Sequence, residues 1–431
     1  MTSPELEGNT MMADSTSSKE FLNRRSFLGA AAAAISAGAV FAPFALGQSR
    51  TTISKGEQDH SASNPGPANP ALAALAGNSN NPPDTDHGDV NPFWYSFELA
   101  HRRIQDGGWT RQVTEKDLPA STDLAGVNMR LTAGSYRELH WHTANEWAYM
   151  LYGNARVTVL NPDGTIFIGD VGKGDLWYFP AGYPHSIQGL GPDGCEFLLV
   201  FDEGFFSEYN TFLLSDWIAH TPPEILRENF HLPQSAIDKL PDDELYIFPG
   251  TVPGPLEDDK RAVGGKAVES KISYTFRMAA MKPIAANDGG DARVVDSSVF
   301  PASKAIAAAL IRVKPGALRE LHWHPNGSEW QYWISGTGRM TVFASAGKSR
   351  TMTFNANDVG FVPAVAGHYI ENTGTEDVVF LSLFRSDHFS EISLNQWLRR
   401  LPQQMVRQHL NLDNAEIEKI PAEHADTIAK Q

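Results

Sequence analysis

The chain contains a long stretch that occurs twice. GSYRELHWHTANEWAYMLYGNARVTV opens at Gly134, and GALRELHWHPNGSEWQYWISGTGRMTV opens at Gly316. Their first histidines are His140 and His322. Two further matches keep nearly the same offset. GDLWYFPAGYPHSI around His185 answers NDVGFVPAVAGHYI around His368, and the segment around Trp217 answers that around Trp397. A period this long in two copies describes a duplicated domain, whereas solenoids stack shorter units in larger number. Within each copy, short alternating runs such as Val127–Leu131, Ala155–Val159 and Arg339–Val342 are separated by Gly, Pro and Asp. That pattern predicts small antiparallel sandwiches or barrels. The trailing segments begin near Ser215-Asp216 and Asn395-Gln396, contain Pro222 and Pro402, and carry helical apolar spacing. The fold class is therefore all-β: two tandem barrels, each with trailing short helices.

Flanking sequence bounds the domains. Asn23-Arg24-Arg25-Ser26-Phe27-Leu28 precedes an Ala-rich apolar run to about Leu46, which resembles a twin-arginine export signal over residues 1–47. Cleavage would follow Ala42 or Gly47 and leave a periplasmic or secreted protein. An uncleaved anchor is disfavoured, because a run this rich in Ala and Gly partitions weakly into lipid. Residues 48–89, rich in Ser, Asn, Pro and Gly, read as a disordered or extended linker, and folded sequence starts near Asn91. The first domain then covers 90–250 and the second 251–431. The net charge of −16 argues against nucleic acid or an anionic membrane as partner, and no stable membrane insertion is expected after cleavage. An anionic substrate would need strong local positive charge. The single cysteine, Cys195, permits neither an intrachain disulfide nor a thiolate zinc cluster and reads as a small buried hydrophobe.

His140-Trp141-His142 falls in a predicted strand, so alternation puts both imidazoles on one face and the indole on the other. Glu146 follows a short turn, and His185 follows the turn Pro180-Ala181-Gly182-Tyr183-Pro184. The second copy supplies His322, His324, Glu329 and His368. Three imidazoles and one carboxylate suit a divalent transition metal with open positions, and by themselves they fit iron, copper, nickel or zinc.

These motifs carry a resemblance. HxH…E and PxG…H resemble the cupin superfamily, giving jelly-roll-like barrels. RELHWH twice, GDLWYFPAGYPHSIQ, HPNGSEWQYWISG and FSEYNTFLLSDW resemble the bicupin oxalate decarboxylases over about residues 91–411. The resemblance implies manganese, two per chain, with dioxygen as co-catalyst, and cleavage of oxalate to formate and carbon dioxide. It implies that Arg137 contacts substrate, with Arg319 as its counterpart, and that Glu208, in a mobile lid over Ser207–Thr211, is the acid/base. Strict alternation puts Arg137 on the face opposite His140, so an inward Arg137 requires a bulge or a strand start between them. Tyr209 stands where Asn is common in the family. In the second copy Ser382 replaces a family Glu and Phe389 a family Tyr, so that copy should bind metal but lacks an evident acid/base, and turnover is expected in the first. Trp141 and Trp323 should face away from the metals, as packing residues or, as the resemblance implies, stacked between subunits of a trimer or hexamer. Three alternatives stand beside this reading: an oxalate oxidase, a non-catalytic metal-binding bicupin, and a cupin oxygenase acting on a larger substrate.

Overall fold

The computed structural model describes residues 66–75, 82–264 and 267–429. The expected signal over 1–47 lies outside them. Among the described residues, no helix is long and apolar enough to cross a membrane.

Each repeat builds two antiparallel sheets. In the first barrel the 15-residue strand Glu146–Leu160 runs through both. Its first half pairs with Cys195–Phe201 and Leu176–Phe179, and its second half with Ile166–Gly172 and His185–Gly189. Between the halves Gly153 sits at φ +70°, where a Cβ would lie 1.9 Å from the Gly194 carbonyl oxygen. Only glycine lets the strand turn that corner. The second barrel breaks at the equivalent Gly336, φ +81°, into Glu329–Ser335 and Gly338–Ala344.

The barrels exchange edges. Trp94–Ser96 pairs with Asp358–Gly360 of the second barrel, and Thr275–Phe276 pairs with Leu176–Trp177 of the first. Trp330 and Tyr332 of the second repeat are buried in the first barrel's core cluster, and a Cβ on Gly126 would collide with the Trp330 ring. This explains why Ala125–Leu131 is buried along almost its whole length, although its sequence alternates. The end of the expected linker is also held, for Ser349 donates to the Thr85 carbonyl and the Thr351 amide to Asp86.

The trailing segments form three short helices in each repeat. They are Leu214–Ala219, Pro223–Phe230 and Gln234–Ile237, then Leu394–Arg400, Gln403–Leu410 and Asn414–Ile417. Pro222 and Pro402 lie where the first helix of each set gives way to the second, because a proline cannot continue a helix but can open one.

Candidate metal centres

His140 lies in the strand Tyr136–Trp141, with His142 just past its end. Glu146 opens the long strand, and His185 opens His185–Gly189. The second set is arranged in the same way: His322 in Leu318–Trp323, His324 just beyond, Glu329 opening its strand and His368 in Gly367–Asn372. Within each set the donor atoms all lie within 4.8 Å of one another, and all eight residues are buried.

The hydrogen bonds fix the tautomers. Every one of the six imidazoles presents Nδ1 to a backbone carbonyl: His140 to Glu138 at 2.6 Å, His142 to Ala144 at 2.7 Å, His185 to Tyr183 at 2.7 Å, His322 to Glu320 at 2.7 Å, His324 to Ser390 at 2.9 Å and His368 to Ala366 at 3.1 Å. A carbonyl only accepts, so Nδ1 carries the proton and Nε2 turns its lone pair inward. Burial first, with neighbouring cationic groups, pushes His140, His185 and His322 well below the usual imidazole range, leaving them neutral. The Nε2 atoms of His185, His324 and His368 and the Oε2 of Glu329 are buried without a hydrogen-bond partner, even though His368 Nε2 stands 2.9 Å from that oxygen. Lone pairs pressed together in this way fit a cation at their centre.

A second layer orients the carboxylates. Trp177 Nε1 donates to Glu146 Oε1 at 2.9 Å. Gln331 Nε2 at 2.8 Å and Ser382 Oγ at 2.5 Å donate to Glu329 Oε1. The serine in place of a family glutamate thus serves as a donor to a ligand.

Arg137 points inward. The ladder between Tyr136–Trp141 and His185–Gly189 slips between Arg137 and His140, and this bulge puts Arg137, expected opposite by strict alternation, on the buried side with the histidine. The same slip separates Arg319 from His322. Arg137 Nε donates to Glu208 Oε1 at 2.6 Å, Nη2 to Thr211 Oγ1 at 2.7 Å and Nη1 to the Tyr246 carbonyl at 3.3 Å. Glu208 sits in a one-turn helix, Glu208–Asn210, and is buried with Oε2 unpartnered. Burial pushes its carboxyl above the usual range against the pull of Arg137, with Glu146 adding to the rise. Tyr209 packs against the first core and faces Arg103.

The second copy is expected to lack an evident acid/base, yet the structure places a carboxylate where Glu208 stands in the first. Glu391 pairs with Arg319, and its Oε2 lies 3.7 Å from His322 Nε2. The signal is present in the sequence, because Phe206-Ser207-Glu208 and Phe389-Ser390-Glu391 stand at the same offset as His185 and His368. It is hard to recognise because the residues after each glutamate diverge. His424, which sequence reasoning misses, contacts Glu391 and Glu320 at 2.5 Å each and Asp426 at 3.3 Å. Asp426, Glu320 and Glu391 raise its pKa to about 11. Trp141 and Trp323 lie outside the ligand sets. Trp141 stacks on Phe212 and meets Trp217 edge-on, and Trp323 meets Trp397 edge-on.

The Cupin family profile matches residues 95–238 and 276–418. The oxalate decarboxylase OxdC of Bacillus subtilis (strain 168) is 54% identical over 331 residues, 77% of this chain and 85% of that protein. A structure of Bacillus subtilis oxalate decarboxylase at pH 4.6 superposes with a TM-score of 0.83 at 49% identity, covering 87% of this chain and 97% of that one. Another, from work on the Mn(II) centers of that enzyme, gives 0.82 at 49% identity over 86% and 98%. With both repeats matched and both ligand sets assembled, this chain belongs to the cupin superfamily and, within it, to the bicupin oxalate decarboxylases.

Proposed function

We propose that this protein cleaves the oxalate monoanion to carbon dioxide and formate, with turnover in the first barrel. The observation that carries the proposal is the buried Glu208–Arg137 pair beside the first ligand set, with one Glu208 oxygen unpartnered. Manganese held by His140, His142, Glu146 and His185, and in the second barrel by His322, His324, Glu329 and His368, would with dioxygen supply the one-electron chemistry that lets carbon dioxide depart without an acyl carbanion. The Mn(II) centers of the Bacillus subtilis oxalate decarboxylase, 49% identical, support that metal. Neutral histidines and one carboxylate leave a dication at net +1, and Arg137 adds a second positive charge, so an anion is drawn in despite the acidic surface. Arg137 holds and polarises a substrate oxygen. Glu208 takes the proton of the monoanion and returns it to carbon, so one proton enters with oxalate and leaves on formate. Lid closure keeps water from that carbon.

The remaining assignments belong to the same proposal. The chain is exported by the signal over 1–47. It assembles as a trimer or hexamer, an arrangement supported by Trp217 and Trp397, 63% and 50% exposed beside Trp141 and Trp323. The test is product analysis on oxalate with metal quantified in the same sample. One formate per oxalate with little peroxide is expected. Peroxide in place of formate would make the protein an oxalate oxidase, and near-zero metal after growth in ample manganese would make it a non-catalytic bicupin.

A further inference from the structure

The second barrel raises a question that the ligand sets do not answer. Its Glu391 occupies the place of Glu208 and pairs with the equivalent arginine, yet its surroundings differ. Glu208 leaves Oε2 without a partner. Glu391 also has an oxygen, Oε1, without a hydrogen bond, but a cationic group lies against each of its oxygens: Arg319 against Oε2, and His424 with Nε2 2.5 Å from Oε1. His424 comes from the C-terminal segment, whose strand Thr427–Ile428 pairs with Leu318 and Arg319, and Asn287 Nδ2 holds that segment by donating to the Ala425 and Thr427 carbonyls at 2.9 and 2.8 Å. The corresponding segment of the first barrel has Glu244 where His424 stands, and Glu244 pairs outward with Arg103.

The cluster Glu391, His424 and Asp426 is not built as a third metal site. Two ligands bonded to one ion at about 2.0–2.2 Å stand roughly 3 Å or more apart. A 2.5 Å separation is instead that of a charged pair in direct contact, and Glu320 lies equally close to the other ring nitrogen. A carboxylate at each ring nitrogen favours the doubly protonated ring, so His424 stands between Glu320 and Glu391 as an imidazolium.

We infer that His424 is a latch: it pins Glu391 and holds the second lid shut over the second metal centre, and this closure leaves turnover to the first barrel. His424 is a positioning residue, acting through Glu391. As to turnover, the latch rests on the oxalate reading; the closure itself does not. A carboxylate with a cation against each oxygen is a weaker base toward substrate than one with a single cation, and a lid tied at once to the barrel strand and the C-terminal strand opens only when both ties break.

The experiment compares the manganese-loaded full chain with His424→Gln and His424→Lys by hydrogen exchange, and measures formate from Glu208→Ala with and without His424→Gln. Exchange across residues 386–393 should quicken about ten- to hundred-fold in His424→Gln, with 204–211 unchanged. It should quicken less in His424→Lys, which keeps a cation facing Glu391. Formate from Glu208→Ala should rise when His424→Gln is added, through the same balanced conversion of oxalate monoanion to carbon dioxide and formate. Unchanged exchange at 386–393 would overturn the latch, as would equal quickening of 204–211. Faster exchange without added formate, in a protein whose wild type makes formate, would overturn closure as the reason for the division of labour. Absence of formate from the wild type would sink the oxalate reading while the exchange result still decides the latch.

Discussion

In the first barrel Arg137 directs its donors to Glu208, Thr211 and a carbonyl, and Glu208 keeps one buried oxygen without a hydrogen bond. In the second, Arg319 faces both Glu391 and Asp426, and His424 ties these to Glu320. The ligand sets, their tautomers and the strand bulges are the same. The difference that bears on chemistry lies in what meets the lid carboxylate. Duplication copied the metal cage, and divergence worked on the segment that covers it. A cage fixes which ion is held, whereas the covering residues decide whether a proton can reach a reacting carbon.

The largest effect that would break this comparison is at Glu208. Glu208→Ala should lower formate production about 10²–10⁴-fold, the usual contribution of a positioned acid/base, with both metal centres still filled by elemental analysis. Formate at near wild-type rate would mean the two barrels are not divided as described. Next comes the buried pair itself. Arg137→Met leaves Glu208 buried and uncompensated, and should cost about 3–5 kcal/mol in urea unfolding. Adding Glu208→Leu should recover most of that loss, since an apolar pair of similar volume replaces two desolvated charges. Arg319→Met should cost less, because His424 still faces Glu391.

Acid titration sharpens the comparison from another side. His140, His185 and His322 are depressed by burial, so below the ordinary value of about 6.5 the unfolded chain binds protons that the metal-free native protein does not. Stability of the metal-free protein should therefore be complete above that pH and fall as pH drops below it, by up to ~1.4 kcal/mol per pH unit for each such histidine. Denaturant midpoints from pH 7 to 5 measure this. A midpoint that rises on acidification would mean that the imidazoles are charged in the native state.

Much of this is legible from residues. The repeat announces two barrels, and HWH followed by Glu and a later His announces each cage, because ligands on short strands at fixed spacing leave a pattern in sequence. Arg137 is harder: period-2 alternation puts it on the wrong face, and the bulge that corrects this leaves no mark on composition. Trp330 reads as one more strand residue, and only the packing of the two barrels takes it over Gly126. His424 meets Glu320 and Glu391 because the C-terminal strand folds back beside Leu318 and Arg319. That pairing joins segments far apart in the chain, beyond the reach of any local pattern.

The smallest expected effect concerns how each cage holds its carboxylate. Glu146 takes its outer hydrogen bond from the Trp177 indole, a rigid donor inside the core, whereas Glu329 takes two, from Gln331 and from the Ser382 hydroxyl. Groups that orient a ligand typically change metal affinity by about 10–100-fold when removed. Ser382→Ala removes one of two donors and leaves Gln331, so the loss should fall at the lower end, about ten-fold, and be confined to the second centre. Competition with a chelator should then release one manganese equivalent earlier than the other, with formate production nearly unchanged if turnover belongs to the first barrel. Equal release of both equivalents would mean that Ser382 does not orient Glu329. A matching fall in formate would mean that the second centre contributes to catalysis as it stands, latch and all.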